Sequence, residues 1–318
     1  MDISQLKSAS AVKTDVFSLS LLTPLMMHGW QKKVQVPGKR DRSEALEAEV
    51  RTMSIKGILR YWWRTLQNEA DPERLLSDEM RLFGGTRGEE AKRSPLTLRL
   101  EKMLTSQHCA RVLPHSSGKK FRSFSVKEGE TFNLIVSNLK KDEAYEQKHR
   151  GYLTYMLHLA GFGQRARRGA GALQYDGFRW QSPEDVQQSL RNVLTDLNHQ
   201  DDFSFPDLSS NCLLKRNGPV KARHPVLVTV WIGQAQSNAG DVRTKISEAG
   251  HKANGQRDGR QWLGSAKSGR LASPLHATVR KIGHHYVPMI SEVSSSHMEK
   301  RGYQEARDAF LRHLGVNV

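Results

Sequence analysis

The chain has 318 residues, which is more than one compact domain of common size and fits two. Its 49 Lys and Arg outnumber 33 Asp and Glu, so the formal charge is +16 and the pI about 9.9. This charge attracts polyanions, which makes nucleic acid or an anionic membrane the expected partner. No stretch approaches the roughly 18 consecutive apolar residues of a membrane span, and the first residues lack an apolar signal core. We therefore expect a cytoplasmic protein that does not act at a membrane.

The two cysteines, Cys109 and Cys212, are far apart in the sequence. Neither has a CxxC neighbour or a nearby pair of histidines, which structural zinc sites require. A disulfide is also not expected in a cytoplasmic protein. The sequence therefore predicts no metal and no cofactor.

The first half contains the elements of one ferredoxin-like fold, in the order strand, helix, strand, strand, helix, strand. Apolar residues alternate in residues 16–22 and 95–101, form an apolar run in 131–136, and recur at helical spacing in the two helix segments, with Ser54 as the expected N-cap of the first helix. The RNA-recognition motif has the same order. The basic segment at residues 29–42 is predicted to be a mobile loop. The predicted elements are residues 16–22, 54–66, 95–101, 131–136, 143–160 and 171–175.

The second half is less regular, and it lacks one strand of a full second copy. The polar stretch after its first helix and the Gly-, Ser-, Lys- and Arg-rich residues 233–272 receive no regular structure. The expected fold class is therefore α+β, with two ferredoxin-like (RRM-like) domains at residues 1–180 and 181–318. The predicted elements of this half are a helix at 183–197, strands at 226–232, 275–280 and 285–290, and a helix at 303–314.

An internal repeat supports two copies of one fold. In the first half, Phe83-Gly84-Gly85 is followed by Ser94-Pro95-Leu96 after a charged stretch. In the second half, Leu263-Gly264-Ser265 is followed by Arg270 and then Ser273-Pro274-Leu275. Each Ser-Pro-Leu segment opens a predicted strand.

The helix at residues 54–66 is predicted to carry a cationic stripe. Lys56, Arg60 and Arg64 recur every fourth residue, on a different face from the apolar side chains. Gly57 lies beside the stripe and would let a phosphate or another backbone come close. A charged face that contacts only solvent is the alternative interpretation.

A second basic segment, GFGQRARRGAG at residues 161–171, combines four glycines with three arginines; we name it the Arg/Gly loop. Glycines allow positive φ, which exposes backbone N–H groups to an anion, and arginine binds phosphate or stacks on bases. A basic surface turn is the alternative. The loop fits neither the dinucleotide nor the P-loop fingerprint.

These motifs resemble the first Cmr subunit family of type III-B CRISPR effector complexes, which belongs to the RAMP superfamily. The resemblance rests on SIKGILRYWWR at residues 54–64, LFGG at 82–85, SPL at 94–96 and the Arg/Gly loop, in that order. The second half matches only at residues 270–275. Where the family often has glycines after the first strand, this chain has LMMHG at residues 25–29.

The resemblance implies two RAMP domains and a non-catalytic, RNA-binding subunit of an antiviral ribonucleoprotein. The implied partners are the CRISPR guide RNA near the end remote from its repeat-derived tag, the target RNA, and other Cmr subunits. The candidate RNA-binding residues, from the motifs and the basic segment, are Lys32, Lys33, Lys39, Arg40, Lys56, Gly57, Arg60, Arg64, Gly84, Gly85, Gly163, Arg165, Arg167, Arg168 and Gly169.

Two other function classes remain open at this stage. RAMP relatives include ribonucleases, so His28, the pair His284 and His285, or a metal at Asp41 are candidate catalysts. The sequence shows no cluster of acid, base and metal-ligand residues around any of them, which favours a protein without catalytic function. A general nucleic-acid-binding protein, including one that binds DNA, fits the charge equally well because phosphate contacts carry no sequence identity.

Overall fold

The structure is a computed structural model that describes residues 13–35, 44–116, 122–139, 143–254, 262–265, 271–296 and 298–318. The first half contains, in chain order, β1 (Lys13–Leu21), β2 (His28–Gln35), β3 (Glu44–Glu49), α1 (Thr52–Leu66), α2 (Pro72–Phe83), β4 (Gly85–Arg87), β5 (Glu90–Lys92), β6 (Leu96–Leu100), β7 (Thr105–Ser106), β8 (His108–Arg111), β9 (Arg122–Ser125), β10 (Thr131–Asn138), α3 (Glu143–Leu159) and β11 (Leu173–Tyr175). The second half contains α4 (Pro183–Asp196), β12 (Phe203–Ser204), β13 (Cys212–Arg216), β14 (Leu227–Ile232), α5 (Ala239–Asn254), β15 (Leu275–Ile282), β16 (His285–Val293) and α6 (Arg301–His313), with short 3₁₀ turns at Gln200–Asp202 and Leu208–Ser210.

The first half forms a four-stranded antiparallel sheet in the order β11-β1-β10-β6. This is the ferredoxin-like order, with α1 and α3 as the two crossovers. Alternation in β1 buries Phe17, Leu19 and Leu21, whereas Val16 on the other face is 54% exposed. The predicted fold class is confirmed. Helix α1 begins at Thr52, earlier than the predicted N-cap Ser54.

The second sheet has five strands in the order β12-β13-β14-β16-β15. Strand β13 lies antiparallel beside β14, at the position that the last strand of a ferredoxin-like unit would occupy. The strand that was missing from the sequence prediction is therefore β13, which precedes β14 within the same half of the chain. Strand β13 has only five residues, four of them buried without alternation, so its sequence signal is weak.

Besides β13 and the short hairpins β4–β5 and β8–β9, three longer segments differ from the sequence prediction. Residues 29–35 are not a loop: they belong to β2, which pairs with β3 so that Lys33 lies opposite Leu46. Helix α2 was not predicted, although Asp71 caps it and Pro72 opens it. Helix α5 was also missed, because its buried Val242, Ile246 and Ala249 stand in a stretch rich in Gly, Ser, Lys and Arg.

The two Ser-Pro-Leu segments have the same local geometry. In the first, the Ser94 hydroxyl donates to the carbonyl oxygen of Leu96 at 2.9 Å and accepts from its amide at 3.3 Å. In the second, the Ser273 hydroxyl makes both bonds with Leu275 at 3.1 Å. Each turn opens the equivalent strand of its sheet, β6 or β15, which accounts for the repeat in the sequence.

The two halves share buried structure. Leu153 of α3 and Met289 of β16 belong to one cluster of buried apolar side chains. At the sheet edges, the Gln174 amide group bonds the backbone of Lys281 through both its oxygen and its nitrogen, at 3.3 Å each. The division into domains at residues 1–180 and 181–318 stays a prediction.

The fully buried guanidinium of Arg280 joins β15 to the C-terminal end of α3. It donates to the carbonyl oxygens of His158 and Ala160, both at 2.8 Å, and to the hydroxyl of Thr278 at 3.1 Å. Burial lowers its pKa to about 9, so the group is still charged at neutral pH. A cation at the negative end of the helix dipole is favourable.

We expect Arg280→Met to lower the free energy of unfolding by about 3 kcal/mol, because two buried carbonyl oxygens lose their donors. Urea unfolding followed by tryptophan fluorescence measures the loss. Lys281→Met is the matched control, since this neighbouring side chain is exposed and its loss should change stability by less than about 0.5 kcal/mol. Equal losses in the two variants would contradict the structural role of Arg280.

Candidate nucleic-acid interface

The cationic stripe on α1 is partly neutralised by one buried carboxylate of α2. Glu79, whose side chain is 1% exposed, accepts from Arg60 Nε at 2.5 Å and from Arg64 Nε at 2.7 Å and Nη2 at 2.8 Å. The two arginine side chains remain 29% and 44% exposed. Two positive charges share one negative charge, so the stripe keeps a net positive charge and a fixed geometry.

Lys56 is also engaged internally. Its ammonium group donates to the Ser94 hydroxyl at 2.5 Å and to the Leu96 carbonyl oxygen at 3.0 Å. Burial lowers the pKa of Lys56, and the charge of Arg60 lowers it further. Lys56 therefore fixes the turn before β6 while it remains near the stripe.

The glycines near the stripe differ in what surrounds them. Gly57 is exposed, and a Cβ there would meet no heavy atom within 4 Å, so space is open to a ligand. Gly84 has φ +73° and a Cβ there would lie 2.5 Å from the Ser94 nitrogen, which makes glycine obligatory. At Gly85 a Cβ would lie 3.8 Å from Arg60 Nη2. Gly84 and Gly85 therefore shape the turn against which the stripe lies.

The backbone of the Arg/Gly loop is held by both halves of the chain. Gln164 N donates to the Met26 carbonyl oxygen at 2.7 Å, and the Thr23 hydroxyl donates to the Gly169 carbonyl oxygen at 2.8 Å. On the other side, Gly169 N donates to the carbonyl oxygen of Ala277 in β15 at 2.8 Å. Gly163 and Gly169 have positive φ, as the phosphate-binding interpretation requires. The loop is therefore rigidly placed between the two sheets.

Two arginines of the loop point inward. Arg168 donates to the carbonyl oxygen of Leu263 at 2.5 Å and to the Ser273 hydroxyl and the Leu275 carbonyl oxygen, both at 3.2 Å. Burial lowers its pKa to about 10, with the charges of Arg165 and Arg167 adding to the effect. Arg167 bonds the Ser273 carbonyl oxygen. These guanidinium groups thus attach the loop to the turn before β15.

Arg165 is the loop arginine whose side chain is exposed. Its backbone has φ +64°, a left-handed conformation that is uncommon for a residue other than glycine and that concentrates at functional sites. The side chain lines an open cavity of about 700 Å³ between the loop, α5 and the turn after β8. This cavity is large enough for a nucleotide.

Two histidines that the sequence analysis did not select also line this cavity. The rings of His115 and His251 stack with their centroids 4.9 Å apart. They come together because α5 packs beside the turn after β8. No sequence signal identified the pair, since α5 itself was not predicted.

A larger cleft of about 1010 Å³ lies along the edges of β11 and β15. Its lining carries charges of both signs: the carboxylates of Glu128 and Asp176 lie among Arg179, Arg243 and Lys281. A lining of mixed charge suits a polyanion less well than the lining of the smaller cavity beside the Arg/Gly loop, which is rich in arginine. The charge of the lining, and not the volume, therefore makes that smaller cavity the better candidate for an RNA-binding site.

The remaining candidates are less well placed or lie outside the described residues. The backbone of Lys32 and Lys33 lies in β2, whereas Lys39, Arg40 and Asp41 fall outside the described residues. His28 bonds the Phe124 carbonyl oxygen through Nε2 at 2.9 Å, and His284 and His285 are exposed.

The described ranges contain neither a metal-binding cluster nor a membrane-spanning helix. No group of three or more His, Cys, Asp or Glu side chains there could hold a metal ion. Among those same residues, each helix is too short or too polar to cross a bilayer.

The sequence profile of the RAMP superfamily matches residues 18–174, which include the first ferredoxin-like unit and the Arg/Gly loop. A curated relative, the CRISPR system Cmr subunit Cmr1-2 of Pyrococcus furiosus, is 26% identical over 194 residues. The match covers 52% of this chain and 96% of the relative.

Solved structures show the same fold along almost the whole chain. The crystal structure of Cmr1 from Pyrococcus furiosus superposes with a TM-score of 0.61 and 16% identity, covering 96% of this chain and 98% of the other. A chain in a cryo-EM structure of the type III-B Cmr-beta complex bound to cognate target RNA has a TM-score of 0.52 and 13% identity, covering 94% and 99%. The profile match over residues 18–174, the Cmr1-2 relative and the Cmr1 fold, together with the motifs in residues 54–96 and the Arg/Gly loop, make this chain similar to the Cmr1 family of the RAMP superfamily.

Proposed function

We propose that this chain is a non-catalytic RNA-binding subunit of a type III-B CRISPR ribonucleoprotein. In this role it contacts the guide RNA, the target RNA or both, near the guide end remote from the repeat-derived tag, and docks against other Cmr subunits in the cytoplasm. The similarity to the Cmr1 family supports a place in a Cmr complex. The relatives support it too, since one is a Cmr subunit and another is part of a complex bound to target RNA.

The observation that carries the proposal is the placement of Arg165. A rigid loop holds this exposed residue in the lining of a cavity that Arg167 and Arg168 also line, in a chain of formal charge +16. Phosphate contacts supply most of the affinity of proteins for nucleic acids, and a preorganised cation loses little side-chain freedom on binding. The stripe formed by Arg60 and Arg64 would extend the positive surface beyond the loop.

The competing functions make different demands. A duplex-DNA-binding protein would prefer duplex DNA over single-stranded RNA in a filter-binding comparison, and we expect the opposite. A ribonuclease would need a general acid and base that touch the cleaved link. His28, the best catalytic candidate in the sequence, has its Nε2 atom engaged by the Phe124 carbonyl oxygen.

We expect Arg165→Ala to weaken binding of unrelated single-stranded RNAs to a similar extent. The slope of log affinity against log salt should become shallower by about 0.7, the value for one phosphate on a single strand. Fluorescence anisotropy over a salt series measures the slope. Arg301→Ala removes the same charge from a side chain that is 91% exposed on α6, and should leave the slope unchanged. An unchanged slope in Arg165→Ala would contradict a phosphate contact at this residue.

A second prediction concerns the stripe. Glu79→Gln removes the shared negative charge but leaves an oxygen that can accept a hydrogen bond from Arg60 or Arg64. If RNA passes over the stripe, its affinity should rise about threefold, because less positive charge is neutralised. The same titrations measure it, with Glu305→Gln, a carboxylate paired on distant α6, as the control. Equal affinities of Glu79→Gln and the wild type would exclude the stripe from the RNA path.

We further expect no cleavage of RNA by the purified chain, with or without magnesium. Separation of end-labelled RNA on a denaturing gel tests this directly. His28→Ala and Asp41→Asn should each leave RNA binding and, in an assembled complex, target cutting unimpaired. Single-site cleavage by the pure protein that disappears in either variant would show that the chain is an enzyme.

A further inference from the structure

The cavity beside the Arg/Gly loop combines a guanidinium with two imidazoles. His115 comes from the turn after β8 and is half-buried, whereas His251 is exposed on α5. Their rings are nearly parallel, with an interplanar angle of 23°. Arg165 lines the same cavity from the loop. Three side chains from three separate segments thus present nitrogen donors, or groups that become donors on protonation, to one space.

The charged groups around the pair are mainly positive. The loop supplies Arg165, Arg167 and Arg168, and the last two donate to backbone carbonyl oxygens. The carboxylate of Glu248 on α5 opposes this positive charge and acts to raise the pKa of His115. It also lies 3.9 Å from His313 Nε2 on α6. Without a bound anion, a proton on His115 is therefore placed among like charges.

Ser247 allows His115 to change its protonation state without losing its position. The Ser247 hydroxyl lies 2.6 Å from His115 Nδ1. A hydroxyl can donate to an unprotonated ring nitrogen or accept from a protonated one, because its hydrogen rotates. The hydrogen bond therefore persists in both states, and the ring stays directed into the cavity.

We propose that this cavity binds a phosphate group of an RNA strand through Arg165, and that His115 and His251 take up protons as the phosphate binds. The inference rests on the RNA-binding function proposed above and adds a specific site and a pH dependence to it. The ligand class is a phosphodiester within a strand; a terminal phosphate presents similar acceptor oxygens but also takes up a proton itself at about pH 6.

The sign of the effect follows from the charges. In the free protein, burial holds the pKa of His115 below its usual value, and the nearby His251 and Arg165 lower it further, against the opposing effect of Glu248. His115 is therefore neutral near pH 7. A bound phosphate stabilises the protonated ring and raises its pKa. Binding then consumes protons, so affinity rises as the pH falls towards the free-state pKa of His115.

The test compares RNA affinity at about pH 7.5 and about pH 5.5, a window that spans ordinary histidine titration. The probe is a short single-stranded RNA without terminal phosphates, at fixed salt, and a second arm adds a 3′-phosphate. We expect binding about tenfold tighter at the lower pH. This is the effect of about one proton taken up on binding over about one of the two pH units compared. Calorimetry in two buffers of different ionisation enthalpy should show the proton uptake directly.

Variants separate the site from the general rise in positive charge at low pH. His251→Gln changes an exposed side chain and should flatten the pH dependence severalfold while it preserves the fold; His115→Asn should do the same. His284→Gln, an exposed histidine on the β15–β16 turn, should retain the wild-type pH dependence. Enhancement in both RNA arms identifies an internal phosphate, and enhancement only with the 3′-phosphate identifies a terminal one.

Two negative results have different meanings. The proposed histidine site is wrong if the wild type binds RNA equally at both pH values, or if His251→Gln has the same pH dependence as His284→Gln. In either case the proposed RNA-binding function is unaffected. If the wild type binds no RNA at either pH, the proposed function itself fails. Proton uptake in His251→Gln equal to that of the wild type would also overturn the assignment.

Discussion

Positively charged side chains that donate to backbone carbonyl oxygens hold the two halves of this chain together. Arg280 does so while fully buried, and its partners are the carbonyl oxygens of His158 and Ala160 at the end of α3. None of the ion pairs found in the described part of the chain includes Arg280. Carbonyl dipoles and the negative end of the helix dipole replace a carboxylate, so the guanidinium is desolvated yet fully hydrogen-bonded. Because Arg280 fixes the end of α3, it also fixes where the Arg/Gly loop begins.

The same type of contact, a cationic side chain that donates to a backbone carbonyl oxygen, recurs at the two Ser-Pro-Leu turns. Lys56 donates to Ser94 and Leu96 in the first half, and Arg168 donates to Ser273 and Leu275 in the second. The equivalent turn in each ferredoxin-like unit is thus fastened by a cation, although the two cations come from different elements. Gly250 leaves space for the Arg168 side chain, since a Cβ at residue 250 would lie only 2.9 Å from Arg168 Nε. Part of the high positive charge is therefore structural, and net charge alone overstates the cationic surface available to RNA.

Sequence patterns predicted the elements that bury long apolar faces. Helix α1 and strand β1 have clear periodicity, because one face of each packs on the core, whereas the last turns of α3 are buried almost all round and show as an apolar run. Helix α5 has buried residues at helical spacing but is surrounded by polar residues, and β13 is too short for a clear alternation. The direction of an arginine is harder still to predict: Arg165 and Arg168 are equally basic in the sequence, and only tertiary packing turns one outward. The His115–His251 pair depends on α5 and is invisible for the same reason.

The position of Arg165 is determined mainly by hydrogen bonds of other loop residues, together with its own carbonyl oxygen, which accepts from Arg168 N at 2.8 Å. Its left-handed backbone costs about 1 kcal/mol, and a short loop keeps such a conformation only when its surroundings over-determine it. Here the surroundings are Met26 and Thr23 on one side and Ala277 on the other, so both halves contribute. The exposed guanidinium is consequently preorganised by the packing of the two halves. Any movement of β15 relative to β1 would displace the loop, which links the proposed phosphate site to the interface that Arg280 holds closed.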